Sequence, residues 1–148
     1  MNNKILKKLK NIKEDNNNYN GITNIINTNI EDINDLSEKG DTFPYLYAIE
    51  NLVSGPSFFI DNIDKLDINN KNKYGKTALM ALAEKGLIYD VKKLLEAGAD
   101  WTMKDKNGKI ARDYAESYSK ETDINKLEDG EDNDPAIYYL LKEWEETH

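Results

Sequence analysis

Asn72-Lys73-Tyr74-Gly75-Lys76-Thr77-Ala78-Leu79-Met80-Ala81-Leu82-Ala83-Glu84-Lys85-Gly86, running on through Leu87 to Val91-Lys92-Lys93-Leu94-Leu95-Glu96-Ala97-Gly98-Ala99-Asp100, decides how this chain folds. Gly75 permits a tight turn with positive φ, and Thr77 is placed to cap the next helix by accepting a bond from one of its unpaired amides. Ala78, Leu79, Leu82 and Ala83 give that helix an apolar face of small and medium residues, and Gly86 ends it. A second helix carries Ile88, Val91, Leu94 and Leu95 on one stripe at i, i+3, i+6 and i+7. Gly98 stands where a left-handed C-terminal cap is wanted, and a polar hairpin follows.

The same punctuation recurs along the chain. Asp32-Ile33-Asn34 precedes Gly40-Asp41-Thr42, Asp67-Ile68-Asn69 precedes Gly75-Lys76-Thr77, and Asp100-Trp101-Thr102 precedes Gly108-Lys109-Ile110. In each the Asp lies eight residues before the Gly, and successive glycines are 35 and then 33 apart. Three stations in phase at this period are the signature of a helical repeat. The unit from Gly75 resembles an ankyrin repeat, whose pattern is close to G-x-T-P-L-H-x-A-A-x-x-G followed by V-x-x-L-L-x-x-G-A-D. Met80 replaces the usual His, and Leu82 the first of two Ala.

The resemblance implies an all-α ankyrin-repeat solenoid of about four helix-hairpin units in a single domain spanning 1–148. Residues 1–34 form an irregular N-terminal cap, with Ile5, Leu6, Leu9 and Ile12 on one helix face from about Asn3 to Glu14. A turn over Asp15–Gly21 follows, and then a short helix with Ile22, Ile25 and Ile26 on its apolar side. Residues 35–69 form a divergent repeat. Its inner helix starts at Thr42-Phe43-Pro44, Leu52-Val53-Ser54-Gly55-Pro56 replaces the usual short turn, and Phe58, Phe59, Ile60 and Ile63 fill the outer helix. Residues 70–102 form the consensus-like repeat. Residues 103–148 form a C-terminal repeat interrupted by an acidic insertion at 121–134. In that last repeat Ile110 stands in place of the capping Thr, a loss of about 1 kcal/mol, and Ile137, Leu140, Leu141 and Trp144 make the buried stripe of a final helix begun by Asp134-Pro135.

Ankyrin proteins bind partners through hairpin tips and inner helices, without chemistry. Carried over position by position, the partner-facing residues are Glu38, Lys39 and Asp41; Lys73, Tyr74 and Lys76; and Lys106, Asn107 and Lys109. The inner-helix pair is Glu84 and Lys85, with Ile49 and Glu50 the counterparts in the divergent repeat. A Tyr anchor with a lysine-rich stripe implies an acidic protein partner; solvated tips with no partner are the competing reading.

Charge and composition bound the rest. The 148 residues carry a net charge of −8, which argues against general binding to nucleic acid or an anionic membrane. Residues 1–20 sum to +3 and residues 121–148 to −8. There is no cysteine, hence no disulfide and no thiolate metal site. The start of the chain is basic without an apolar run, and no stretch approaches membrane-spanning length, so the reducing cytoplasm is expected. A capped solenoid has no need to self-associate, so a monomer is expected.

Catalysis is not expected. The single histidine, His148, is terminal, no glycine-rich phosphate cradle precedes a helix, and no cofactor or metal is implied. Asn125–Gly130 can be laid over the start of a calcium loop, but Leu127 at its third position and Ala136 at its twelfth are not ligands. Two readings of the insertion remain open: a self-repelling loop without a role, or a docking site for a basic partner built from Glu128, Asp129, Glu131 and Asp132. The second would make the protein a small inhibitor or immunity-type protein that blocks a basic, nucleic-acid-handling enzyme site.

Overall fold

The structure, a computed structural model, describes residues 4–12, 19–28, 32–115 and 136–148. Its elements are α1 (Lys4–Lys10), α2 (Tyr19–Thr28), α3 (Pro44–Asn51), α4 (Gly55–Asp61), a 3-10 turn (Ile63–Lys65), α5 (Ala78–Glu84), α6 (Ile88–Glu96), α7 (residues 111–115) and α8 (Ala136–Thr147). Among the described residues there is no strand, as an all-α ankyrin-type fold requires, and no helix long and apolar enough to cross a membrane. The chain divides into two compact bodies, Met1–Ala78 and Leu79–His148.

In the N-terminal body α1 packs on α2 and α3, while α4 packs on α2 and α3. Two helical hairpins are thereby stacked inner on inner and outer on outer. The reason is burial: Ile5 and Leu9 of α1, Ile22 of α2, Tyr45, Leu46 and Ile49 of α3, and Phe58 and Phe59 of α4 are all sealed from solvent. No helix of seven to ten residues is stable alone in water, so these apolar faces hold one another in shape. The aromatic centre is ordered. Tyr45 meets Phe43 edge-on at 4.4 Å between centroids and stacks on Phe59 at 5.2 Å. Burial pushes the Tyr45 hydroxyl far above the usual phenol range, so it stays protonated and donates to the Asp67 carbonyl.

Gly55 explains the departure at Leu52–Pro56. A Cβ at this position would lie 1.8 Å from the Ala48 carbonyl oxygen and 2.2 Å from its carbon. The first turn of α4 therefore rests directly on the backbone of α3, and only glycine allows that approach. Pro56 follows in the first turn of α4, as Pro44 begins α3, both where a missing amide costs nothing.

In the C-terminal body α6 packs on α8, with Val91, Leu94, Leu95, Ile137 and Leu141 buried. Gly86 (φ 74°) and Gly98 (φ 99°) close α5 and α6 in the same way. The amides of Leu87 and Ala99 reach back to the carbonyls of Leu82 and Leu94 at 3.2 and 3.0 Å, while Gly86 and Gly98 bond Ala83 and Leu95. Both ends are Schellman caps, as the spacing requires.

Several expectations change. Gly21 lies inside α2, not in the preceding turn. Helix α1 stops at Lys10, where Asn11 and Ile12 donate to Lys8 and Leu9 in a tightened last turn, leaving Ile12 half-buried outside it. Ile88 is 38 % exposed, because as the first residue of α6 its side chain points back past the end of the helix. Ile49 is fully buried and cannot face a partner. Ile60, Ile63, Leu140 and Trp144 are half-buried at the rims of their stripes. The lost cap at Ile110 is replaced: the Asp113 carboxylate, three residues on, accepts the Ile110 amide at 2.9 Å.

Candidate functional site

Three hairpin tips are built on one plan. In the second, Asn72 Oδ1 accepts the amides of Tyr74 (3.0 Å) and Lys76 (2.9 Å), while the Asn72 amide donates to the Lys76 carbonyl (3.2 Å). In the third, Asp105 Oδ1 accepts from Asn107 (2.8 Å) and Lys109 (2.9 Å), and the Asp105 amide donates to Lys109 (2.8 Å). In the first, Ser37 Oγ accepts from Asp41 (3.0 Å) and Thr42 (3.4 Å). Each tip glycine, Gly40, Gly75 or Gly108, takes a positive φ and bonds the carbonyl of the residue three before it. A short oxygen-bearing side chain thus fills the turn from inside and satisfies amides that would otherwise need water. The sequence reading fixed on the aspartates eight residues before each glycine and missed Ser37, Asn72 and Asp105. The signal was a polar residue three positions before each tip glycine.

Within the N-terminal body two tips are zipped together. The Lys73 amide donates to the Gly40 carbonyl at 2.9 Å and Asn72 Nδ2 to the Asp41 carbonyl at 2.8 Å. Behind them the Asp67 amide and Asn70 Nδ2 bond the side chain and carbonyl of Asn34 at 2.8 and 2.7 Å. The structure brings Glu38, Lys39, Asp41, Lys73, Tyr74 and Lys76 onto this pair of tips. Lys73 Nζ lies 2.5 Å from Asp41 Oδ1 and 5.1 Å from the Tyr74 ring centroid. The hydrogen bond from Lys73 holds the Asp41 carboxyl below its usual range, and the same bond raises Lys73. Lys76 is largely tucked in, its ammonium 3.2 Å from Glu50 of α3. Two of the lysines expected to form a basic stripe are therefore each mated to a carboxylate, while Glu38, Lys39 and Tyr74 are exposed.

In the C-terminal body Lys106, Asn107 and Lys109 are exposed on the third tip, and Glu84 and Lys85 at the end of α5. Lys109 Nζ lies 6.0 Å from the Tyr114 ring. Tyr114 Oη donates to Asp105 Oδ2 at 2.7 Å. Burial works against charge on Asp105, but the bonds from Tyr114, Lys109 and Asn107 outweigh it and hold its carboxyl below the usual range. Arg112 ties α7 to α8, with Nη1 2.7 Å from Glu145 Oε2 and its guanidinium 5.8 Å from the Tyr138 ring. His148 stacks on Trp144 at 4.0 Å.

Among the described residues no three carboxylate or histidine side chains cluster as metal ligands would. Glu128, Asp129, Glu131 and Asp132, together with the overlaid calcium loop up to residue 135, lie outside the described residues.

A comparison with curated proteins finds no match. Residues 62–115 do match a family model, described as ankyrin repeats (many copies), that takes in the second tip, α5, α6, the third tip and the described part of α7. Over that stretch the chain is similar to ankyrin repeats.

Proposed function

We propose that this chain is a protein-binding module without catalysis, and that its tips are the contact surface, with Tyr74 as the anchor of the N-terminal body. Ankyrin repeats are in general a scaffold for binding other proteins, which supports the reading. The observation that carries it is the setting of Tyr74. The residue is 49 % exposed, yet its amide is fixed to Asn72 Oδ1 and its ring lies beside the Lys73 ammonium. A large aromatic presented on a braced backbone is the kind of residue that dominates interfaces, because little freedom is left to lose on binding. Around it, Lys39, and separately Lys106 and Lys109 in the other body, offer ammonium groups to an acidic partner. Glu84 and Lys85 extend the surface of the C-terminal body. The protein acts as a monomer in a reducing, cytoplasmic setting.

The test compares capture of partner from the native lysate by wild type, Tyr74→Ala, and a variant lacking residues 122–133, each first shown to keep its helical far-ultraviolet spectrum. A captured protein reduced about 30-fold or more by Tyr74→Ala, and unaffected by the deletion, is the expected result for an aromatic hot spot. Undiminished capture by Tyr74→Ala overturns the tip reading. Capture lost only on deleting 122–133 moves binding to the acidic insertion and favours the inhibitor reading.

A further inference from the structure

Besides the tips, the N-terminal body holds a cleft of about 420 Å³ between α1 and the first hairpin tip. Lys7 and Lys10 of α1 and Lys39 of the tip line it, all three exposed, together with the buried Leu6 and with Ser37. The carboxylates lining it are Glu38 and Asp41, and Asp41 is already engaged by Lys73 at 2.5 Å. Three ammonium groups therefore face one carboxylate not committed elsewhere. Among the described residues Lys7, Lys10 and Lys39 form no ion pair; Lys10 lies 5.8 Å from the Tyr47 ring. In a chain of net charge −8 this is a local reversal of sign within a concave cleft. Opposed surface charge of this kind steers association and fixes register, and a concave site gives it definition.

We infer that the cleft between α1 and the first tip, lined by Lys7, Lys10 and Lys39, docks an acidic peptide segment of the protein partner. Its carboxylates pair with the three ammonium groups. The volume suits a few side chains, within the roughly 300–1,000 Å³ of ordinary ligand clefts. The inference rests on the protein-binding reading and deepens it by naming the partner's chemistry.

Hexaglutamate carrying a fluorescent label is the probe, titrated by fluorescence anisotropy against full-length protein at low and moderate salt. Lys7→Glu/Lys39→Glu reverses two cleft charges. Lys92→Glu/Lys142→Glu, at exposed positions on α6 and α8, makes the same change in net charge outside the cleft. The expected result is binding that weakens with salt and falls about tenfold or more in the cleft variant but not in the control. Equal loss in both variants overturns the inference, since net charge alone would then explain binding. So does no binding by wild type, or an oligouridylate of matched charge binding as well as the peptide. Because Tyr74 is not read by this titration, a failure here with Tyr74-sensitive capture intact removes the cleft and leaves the tip reading standing.

Discussion

Replacing Gly55 by alanine sets two physical effects of opposite sign against each other. On helix propensity alone the change is favourable, worth up to about 1 kcal/mol, since alanine loses less backbone freedom than glycine. The φ of Gly55 lies outside the left-handed region, so alanine meets no backbone strain there. Packing says otherwise. The added Cβ falls 1.8 Å from Ala48 O, 2.2 Å from Ala48 C and 2.9 Å from Ile49 N, all backbone atoms that no rotamer change can move. To reach even the 3.0 Å limit of real contacts, α4 must lift from α3 by about 1.2 Å. That lift pulls Phe59 from Tyr45, whose rings stack at 5.2 Å, and disturbs the Leu52 amide bond to Ala48 O. Overpacking of this kind costs about 3 kcal/mol, at the upper end of what extra methylenes cost in well-packed cores. The net expectation is a loss of about 2 kcal/mol, or roughly 4–8 °C in the melting midpoint followed by far-ultraviolet circular dichroism. Gly98→Ala is the comparison. Its Cβ meets nothing within 4 Å, but its φ of 99° is costly for alanine, so the loss there is about 1 kcal/mol and purely conformational. A Gly55→Ala midpoint equal to or above wild type would refute the close approach of α4 to α3.

Asp105→Ala removes the acceptor of two tip amides and of Tyr114 Oη and should cost about 1–2 kcal/mol in urea unfolding at neutral pH. Asp105→Asn should cost much less, because Asn72 already holds the second tip with the same two amide bonds. The pair also separates in pH. The folded carboxyl of Asp105 lies below its ordinary value of 3.8, so its contribution is full above that value and is lost as pH falls through the lower folded pKa. Stability of Asp105→Asn should therefore fall less steeply than wild type below about pH 4, and parallel curves would contradict the assignment. Leu94→Ala, at a fully buried position, should cost about 2–5 kcal/mol, whereas Ile88→Ala, at the first residue of the same helix and 38 % exposed, should cost under about 1 kcal/mol by the same measurement. Similar losses at the two sites would mean that α6 buries a wider face than described.

The stretch from Asn72 to Asp100 was legible because its determinants are local. Gly75, Gly86 and Gly98 each need a positive φ, and the amides they free are satisfied within a few residues. Where the determinant is remote, the chain reads poorly. Gly55 looks like a broken consensus until the Ala48 carbonyl is seen beneath it. Ile49 reads as a candidate contact because it is the counterpart of an inner-helix position in the next repeat, and only the packing of α3 buries it. The tip clamp is the intermediate case. Ser37, Asn72 and Asp105 have different side chains, so identity hides them, but each places an oxygen two bonds or three from its Cα and can fill the same turn.

Charge shows the same division between local and remote, with a consequence for binding. Four lysines at tip positions read as a basic stripe if each is taken alone. Lys73 and Lys76 instead find Asp41 and Glu50, across 32 and 26 residues of sequence, once adjacent repeats are in register. Pairs at or near the surface add little to stability, but they consume the charge. A partner addressing Lys73 would have to displace Asp41 first, so little net attraction is left at that tip. On the proposed protein-binding reading, attraction comes from ammonium groups without a carboxylate of their own, and in the N-terminal body these include Lys7, Lys10 and Lys39 around the α1 cleft. Lys73 then serves Tyr74 more than it serves an anion: pinned by Asp41, it holds the exposed ring in place from the side. On this division of labour, Lys73→Ala should weaken partner capture only as far as it loosens Tyr74. Adding it to Tyr74→Ala should then produce little further loss, a non-additivity that a double-mutant cycle measures directly.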